Sequence, residues 1–263
     1  MLFAPKTFQI SKRQRFIAIS ILLWVVIITI YQLSSLGAIS IFFLILITYI
    51  LTYLAIREDI SGIEYLTLFI IPILYTLGTL LFLQILPDRK LYRYPILASY
   101  PIVMYVIYLT NNIFNVAAIR TIQLLRAARA VSYLLTLATL FFIISHLNSQ
   151  QFDVLTNISL QLLTVFLITF QFYWTFELKR GVGKKTLIYT SAVTLLMLQL
   201  ITLFKLTPIA PAFSSLIVLT FYYVILGIST HYLEKKLSTR ITVEYVIIAV
   251  LVSGLIFTTI GWR

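Results

Sequence analysis

The sequence predicts an all-α fold: a polytopic transmembrane helical bundle of about nine spans plus one amphipathic helix. Three observations carry this. The 263 residues are 61% hydrophobic and only 11% charged, with a mean hydropathy of +1.02. A soluble domain is about 45–50% apolar and about 25% charged, so lipid must be the solvent for most of this chain. The apolar residues fall in continuous runs, not in the two-residue alternation of a barrel strand. The 20 Lys and Arg residues cluster in the short gaps between those runs.

Each run has about the length a helix needs to cross a hydrocarbon core, roughly 20 residues. The first, 16–33, follows Lys6, Lys12, Arg13 and Arg15. It reads as an uncleaved first helix, because another span comes at once and no small-residue cleavage pattern stands between them. Runs 36–56 and 64–87 follow, the second interrupted by Pro72. The fourth, 94–110, has Tyr92 and Tyr94 at its start and Pro101 inside. An internal proline lacks a helical N–H and kinks its helix. Runs 130–147 and 155–176 flank a gap rich in Asn and Gln. Run 186–204 follows the basic turn Gly181-Val182-Gly183-Lys184-Lys185. Run 208–230 opens on Pro208 and Pro211, and 241–260 completes the series. Tyr53, Tyr173, Trp174, Tyr232 and Trp262 lie near predicted boundaries, at headgroup level. Trp24 and Tyr75 lie deeper and read as helix-packing residues. The gaps are too short for a soluble domain, so residues 1–263 form one integral membrane domain.

The bases predict orientation. With the N-terminus inside, the inner face receives Lys6, Lys12, Arg13, Arg15, Arg57, Arg120, Arg126, Arg129, Lys179, Arg180, Lys184, Lys185, Lys235, Lys236 and Arg240. The outer face receives Arg89, Lys90, Arg93, Lys205 and Arg263. The excess favours a cytoplasmic N-terminus in a plasma membrane, expected to be prokaryotic. One gap dissents: Arg89, Lys90 and Arg93 fall outside, offset in part by Asp88. The net charge of +12 is therefore a membrane-surface signal. No basic tail or soluble domain is present to bind nucleic acid.

Residues 111–129 are the least lipid-like long stretch. On a helical projection Asn111, Asn112, Asn115, Gln123, Arg126 and Arg129 share one arc, and Arg120 lies outside it. The first reading is an interfacial helix whose arginines meet anionic lipid headgroups at the cytoplasmic face. The second buries the segment among the spans, where its Asn and Arg side chains line a polar cavity for an anionic substrate or a lipid phosphate; the third is a plain connector. An arginine at mid-bilayer costs roughly 2.5–3.5 kcal/mol and needs a partner there.

The eight acids lie at or near span ends. Glu244 is the deepest. It is either a proton site or, the favoured reading, an ion pair with Arg240 one turn away. Glu177, beside Lys179 and Arg180, reads as a solvated helix end. Ser145, His146, Ser149 and Asp153 sit close in sequence, but proximity alone is no triad, and a polar loop is the favoured reading. There is no cysteine, and the two histidines are far apart. No metal site and no cofactor are expected.

Three classes of function remain. The favoured one is a non-catalytic membrane subunit, scaffold or lipid-organising factor, with other membrane subunits as partners. The alternative is a carrier of a small solute or lipid that uses the polar helix 111–129. An enzyme acting on a lipid-linked substrate comes third, because the chain lacks paired Asp-rich motifs, His-Glu clusters and a serine-nucleophile turn. Scarcity of charge inside the spans sets this order, since transport and catalysis within lipid usually retain some.

Overall fold

A computed structural model describes residues 11–32, 37–58, 60–119, 123–179, 181–207 and 209–259. Among them are nine helices and no strand: α1 (Lys12–Gln32), α2 (Ala38–Ile56), α3 (Glu64–Ile85), α4 (Lys90–Ala117), α5 (Leu125–Ser149), α6 (Val154–Glu177), α7 (Lys184–Leu206), α8 (Pro211–Leu233) and α9 (Thr239–Thr259). All nine are long and apolar enough to span a membrane. The chain is thus an all-helical, multi-pass membrane bundle. The connections α2–α3, α4–α5, α6–α7 and α8–α9 alternate with the others along the chain. With the helix turns beside them they hold Arg57, Arg126, Arg129, Lys179, Lys184, Lys185, Lys235, Lys236 and Arg240, and together they define what we term the basic face.

The centre of the bundle is α3. It is the most buried helix and packs against α2, α4, α5 and α6. Its tightest partner is α5, and Gly78 is the reason. A Cβ there would meet Ile143 Cγ1 at 3.0 Å and Phe142 Cβ at 3.3 Å. Lipid tails are as apolar as leucine, so helices in a bilayer associate through close packing and polar contacts. A small residue at a crossing supplies that closeness. On one flank of α3, α1 packs on α2 and α4; on the other, α6 and α7 form a tight pair. At the periphery α9 leans on α8, and only its Ala249 and Ile256 are buried.

Threonines are frequent in this core. Thr48, Thr79 and Thr139 return their hydroxyls to carbonyls one turn earlier, at 2.7–2.8 Å. Such bonds leave no open donor in an apolar interior.

Of the three prolines inside helices, Pro72, Pro95 and Pro101, two leave deficits that other helices meet. Pro72 cannot donate to the carbonyl four residues back, at Leu68. That oxygen instead accepts from Asn111 Nδ2 of α4 at 2.6 Å. Next to it, the Ile71 N–H donates to Gln171 Oε1 of α6 at 2.9 Å. Pro101 deprives Leu97 in the same way, and the Leu97 oxygen accepts from Trp24 Nε1 of α1 at 2.7 Å. Both breaks are therefore repaired from other helices, as a backbone surrounded by hydrocarbon requires.

The segment 111–129 is not one helix. Asn111, Asn112 and Asn115 belong to the end of α4, while Arg126 and Arg129 open α5. Gln123 lies in the turn between them, and Arg120 falls outside the described residues. The reason is tertiary. Both α4 and α5 pack on α3 and on each other, so the chain must reverse between them. The 28-residue α4 is about 42 Å long, well beyond the roughly 30 Å hydrocarbon core. Its polar ends are continuations of a span.

Candidate functional site

Asn111 and Asn115 are buried, and both donate to backbone: Asn111 to Leu68, and Asn115 Nδ2 to the Glu58 carbonyl at 2.8 Å. Asn112 is half-buried, and Gln123 and Arg126 are exposed. Arg240 Nε donates to Glu244 Oε1 at 3.0 Å on an exposed face of α9. The residues singled out in the sequence therefore do not converge on one site, Arg129 excepted.

Arg129 belongs to a pattern of arginines at helix C-termini. The last carbonyls of a helix lack intrahelical partners, and a cation suits the negative end of its dipole. Arg15 Nε donates to Ala55 O at the end of α2 at 3.0 Å. Arg93 Nη2 donates to Leu86 O, just past α3, at 2.9 Å. Arg129 Nε donates to Thr175 O, in the last turn of α6, at 3.1 Å. Arg93 also pairs with Asp88 at 2.5 Å and lies over the Tyr31 ring. Its position opposite the basic face thus has a local cause: it caps α3.

Around Arg129 lies a cavity of about 270 Å³ between α5, α6, α7 and α8, open at the basic face. Its walls are built by three helix ends. The Arg129 guanidinium lies 4.7 Å from the Phe176 ring centroid, a cation–π contact that holds the fork in place. With Nε committed to Thr175, the two Nη groups are left facing no carboxylate within 4 Å among the described residues.

Glu177 forms the second wall. It is not the solvated end expected from its neighbours, because its side chain is only 13% exposed. The carboxylate accepts from Thr186 Oγ1 at 2.6 Å and from Thr186 N at 3.4 Å. It therefore caps the N-terminus of α7 from the end of α6. A Cβ at 183 would overlap that carboxylate, so the glycine leaves it room in this position. The turn Gly181–Lys185 is thus shaped by an acid, and Lys185 is left exposed at the cavity mouth.

The third wall is the end of α8. Lys236 N donates to His231 O at 2.8 Å and Lys235 N to Tyr232 O at 3.0 Å, with Lys235 in the left-handed region at φ 56°. This is a Schellman closure. It turns Lys235 into a second groove of about 580 Å³ that shares Lys185, Tyr189 and Leu233 with the first. The Glu234 carboxyl is held below its usual range, chiefly by its bond to Lys236, against some desolvation and with help from Arg126 and Arg129. Composition points to basic ends, but the convergence of three of them needs the packing of α5 to α8.

A neutral network lies toward the opposite face. Asn157 Nδ2 donates to Leu147 O at 2.6 Å. Gln161 Nε2 donates to Asn148 Oδ1 at 2.8 Å and to Asn157 Oδ1 at 2.5 Å, and Asn148 Nδ2 reaches Ser215 Oγ at 3.0 Å. It ties α5, α6 and α8 together. Beside it, His146 Nδ1 meets Leu81 O at 2.9 Å, and Asp153 caps α6 by accepting from Thr156 N at 2.9 Å. The Asp153 carboxyl is held below its usual range by the Thr156 side chain and N–H. His146 and Asp153 thus have separate structural partners. No known protein family, curated protein or solved structure matches this chain.

Proposed function

We propose that this protein is a non-catalytic, multi-pass membrane subunit or lipid-organising scaffold. In this reading its N-terminus and its basic connections face the cytoplasm of a prokaryotic cell and meet anionic lipid headgroups. One observation carries it: three buried amides and an indole bond backbone groups elsewhere in the bundle. Asn111, Asn115 and Trp24 donate to carbonyls that a proline or a helix end leaves open, and Gln171 accepts from the Ile71 N–H beside Pro72. Side chains committed in this way support a bundle; they do not line a path. The carrier reading relied on Asn111, Asn112, Asn115 and Arg120, and the amide donors of the buried Asn111 and Asn115 bond backbone.

Orientation is tested by single cysteines at Gln123, Arg126 and Gln151 in this cysteine-free chain, all exposed positions. An impermeant thiol reagent on intact cells should label position 151 alone, and permeabilisation should add 123 and 126. Labelling of 123 or 126 from outside overturns the orientation. Support as opposed to conduction is tested by Asn111→Leu, which should lower the unfolding stability of the purified protein. An unchanged stability would return Asn111 to the carrier reading.

A further inference from the structure

We infer that the cavity between α5, α6, α7 and α8 binds the phosphate of an anionic phospholipid, whose acyl chains leave along the groove between α7 and α8. This rests on the reading of the chain as a lipid-organising membrane protein. The charges in the cavity are not equivalent. Glu177 is bonded to Thr186 and lies 3.8 Å from Lys179, and Glu234 is bonded to Lys236 at 2.8 Å. Both acids are occupied by groups of the protein. Arg129 feels Glu234 only at longer range, and neither it nor Lys185 has an ion pair within 4 Å among the described residues, so the less satisfied charges of the cavity are positive.

The geometry of the arginine matches a phosphate. Its Nε is tied to Thr175 and its plane is held at Phe176, so the Nη fork is oriented before any ligand arrives. Planar forks of this kind suit phosphate oxygens, and less side-chain entropy is lost when the fork is already held. A neutral donor stands ready as well. Tyr173 is 1% exposed, and its hydroxyl, with Ser229 beside it, makes no well-formed hydrogen bond among the described residues.

A lipid fits better than a free anion because the cavity does not end at the polar residues. It continues into the adjoining groove, where Tyr189 of α7, Leu233 at the end of α8 and Leu237 of the α8–α9 connection add apolar surface, and α7 and α8 touch each other only lightly. A water-soluble phosphate would make no use of that surface.

The test is native mass spectrometry of the detergent-solubilised full chain with added dioleoyl phosphatidylglycerol, dioleoylglycerol or glycerol phosphate. Phosphatidylglycerol should remain bound under activation that strips dioleoylglycerol, and glycerol phosphate at equal concentration should not displace it. R129Q and K185Q should each weaken retention about tenfold, as loss of a charge-assisted contact does. R126Q, on the same helix but exposed and outside the cavity, should change it less than about twofold. If R129Q does not fold, K185Q carries the test, since Lys185 is exposed and its side chain bonds nothing among the described residues. Equal loss in R126Q and K185Q would reduce the site to a diffuse basic surface and overturn the inference. Displacement by glycerol phosphate would make it a small-anion site and overturn the lipid. Neither outcome bears on cysteine labelling, so failure here is separable from failure of the orientation.

Discussion

Repair of the Pro72 break by Asn111 makes a quantitative claim that a double-mutant cycle can test. Asn111→Leu keeps side-chain volume but removes the donor to Leu68 O, which sits in a residue with no exposure. A buried acceptor left unpaired costs about 1–3 kcal/mol. Measured side-chain bonds between membrane helices average about 0.6 kcal/mol and reach about 1.7 kcal/mol, because unfolded states in lipid also find partners. The single variant should therefore lose about 1–2 kcal/mol, near the top of the membrane range, since proline removes the usual donor to that oxygen. Pro72→Ala restores an N–H four residues after Leu68. In that background Asn111→Leu should cost at least about 1 kcal/mol less, because the acceptor now has a donor within its own helix. The assay is reversible unfolding of the purified protein in mixed micelles, followed by helical circular dichroism. Additivity of the two changes within about 0.5 kcal/mol would refute the repair.

Three further outcomes follow from the same structure. Trp24→Phe should destabilise by about 0.6–1.7 kcal/mol through loss of the Leu97 bond, and Pro101→Ala should suppress that loss in the same unfolding assay. Gly183→Ala should cost about 0.5–2 kcal/mol, because its Cβ expels Glu177 from the α7 cap; Gly181→Ala, where a Cβ meets nothing, should be silent. Glu58 bonds Lys12 and Arg15 at 2.6 and 2.9 Å, and its carboxyl is held below the usual value of 4.5, chiefly by Lys12. A lowered folded-state pKa contributes stability that is full above the unfolded value and is lost as pH falls through the folded one. Protection of the α1–α2 pair from proteolysis should therefore decline below about pH 4.5 in wild type and show no such step in Glu58→Gln. Because the Glu58 side chain is 42% exposed, the step should also shrink in high salt.

Much of the architecture was legible before any coordinate. The nine spans read from hydropathy overlie the nine helices, with shifts at the ends. The largest shifts, at α4 and α5, have one cause. Hydropathy stops where lipid stops, while hydrogen-bonded backbone continues past it: α4 gains Lys90–Arg93 at one end and Asn111–Ala117 at the other. The start of α8 at Pro211 follows proline's tolerance in a first turn, with Ala210 as N-cap, while Pro208 lies outside the described residues. The candidate site was less legible. Arg129 stood out in the sequence, whereas Glu177 read as solvated and Lys185 as part of a turn. Nothing local distinguishes a carboxylate facing water from one folded over the next helix, except Gly183, whose missing Cβ leaves the room.

The division has a physical basis. Span length and charge placement answer to the bilayer, which acts on each segment separately: hydrocarbon demands about 20 apolar residues, and bases stay where water is. These are properties of composition along the chain, so the sequence by itself determined a nine-span membrane bundle. Pairing answers to neighbours. Which carbonyl Asn111 serves, which helix end Arg129 caps and whether Arg93 marks orientation or closes α3 depend on helices far away in sequence. Asn111 meets Leu68 across 43 residues, and Arg129 meets Thr175 across 46. Only the tertiary structure decided these contacts. A broken helix in lipid must find its missing hydrogen bonds, and the packing of the other helices determines where they are found.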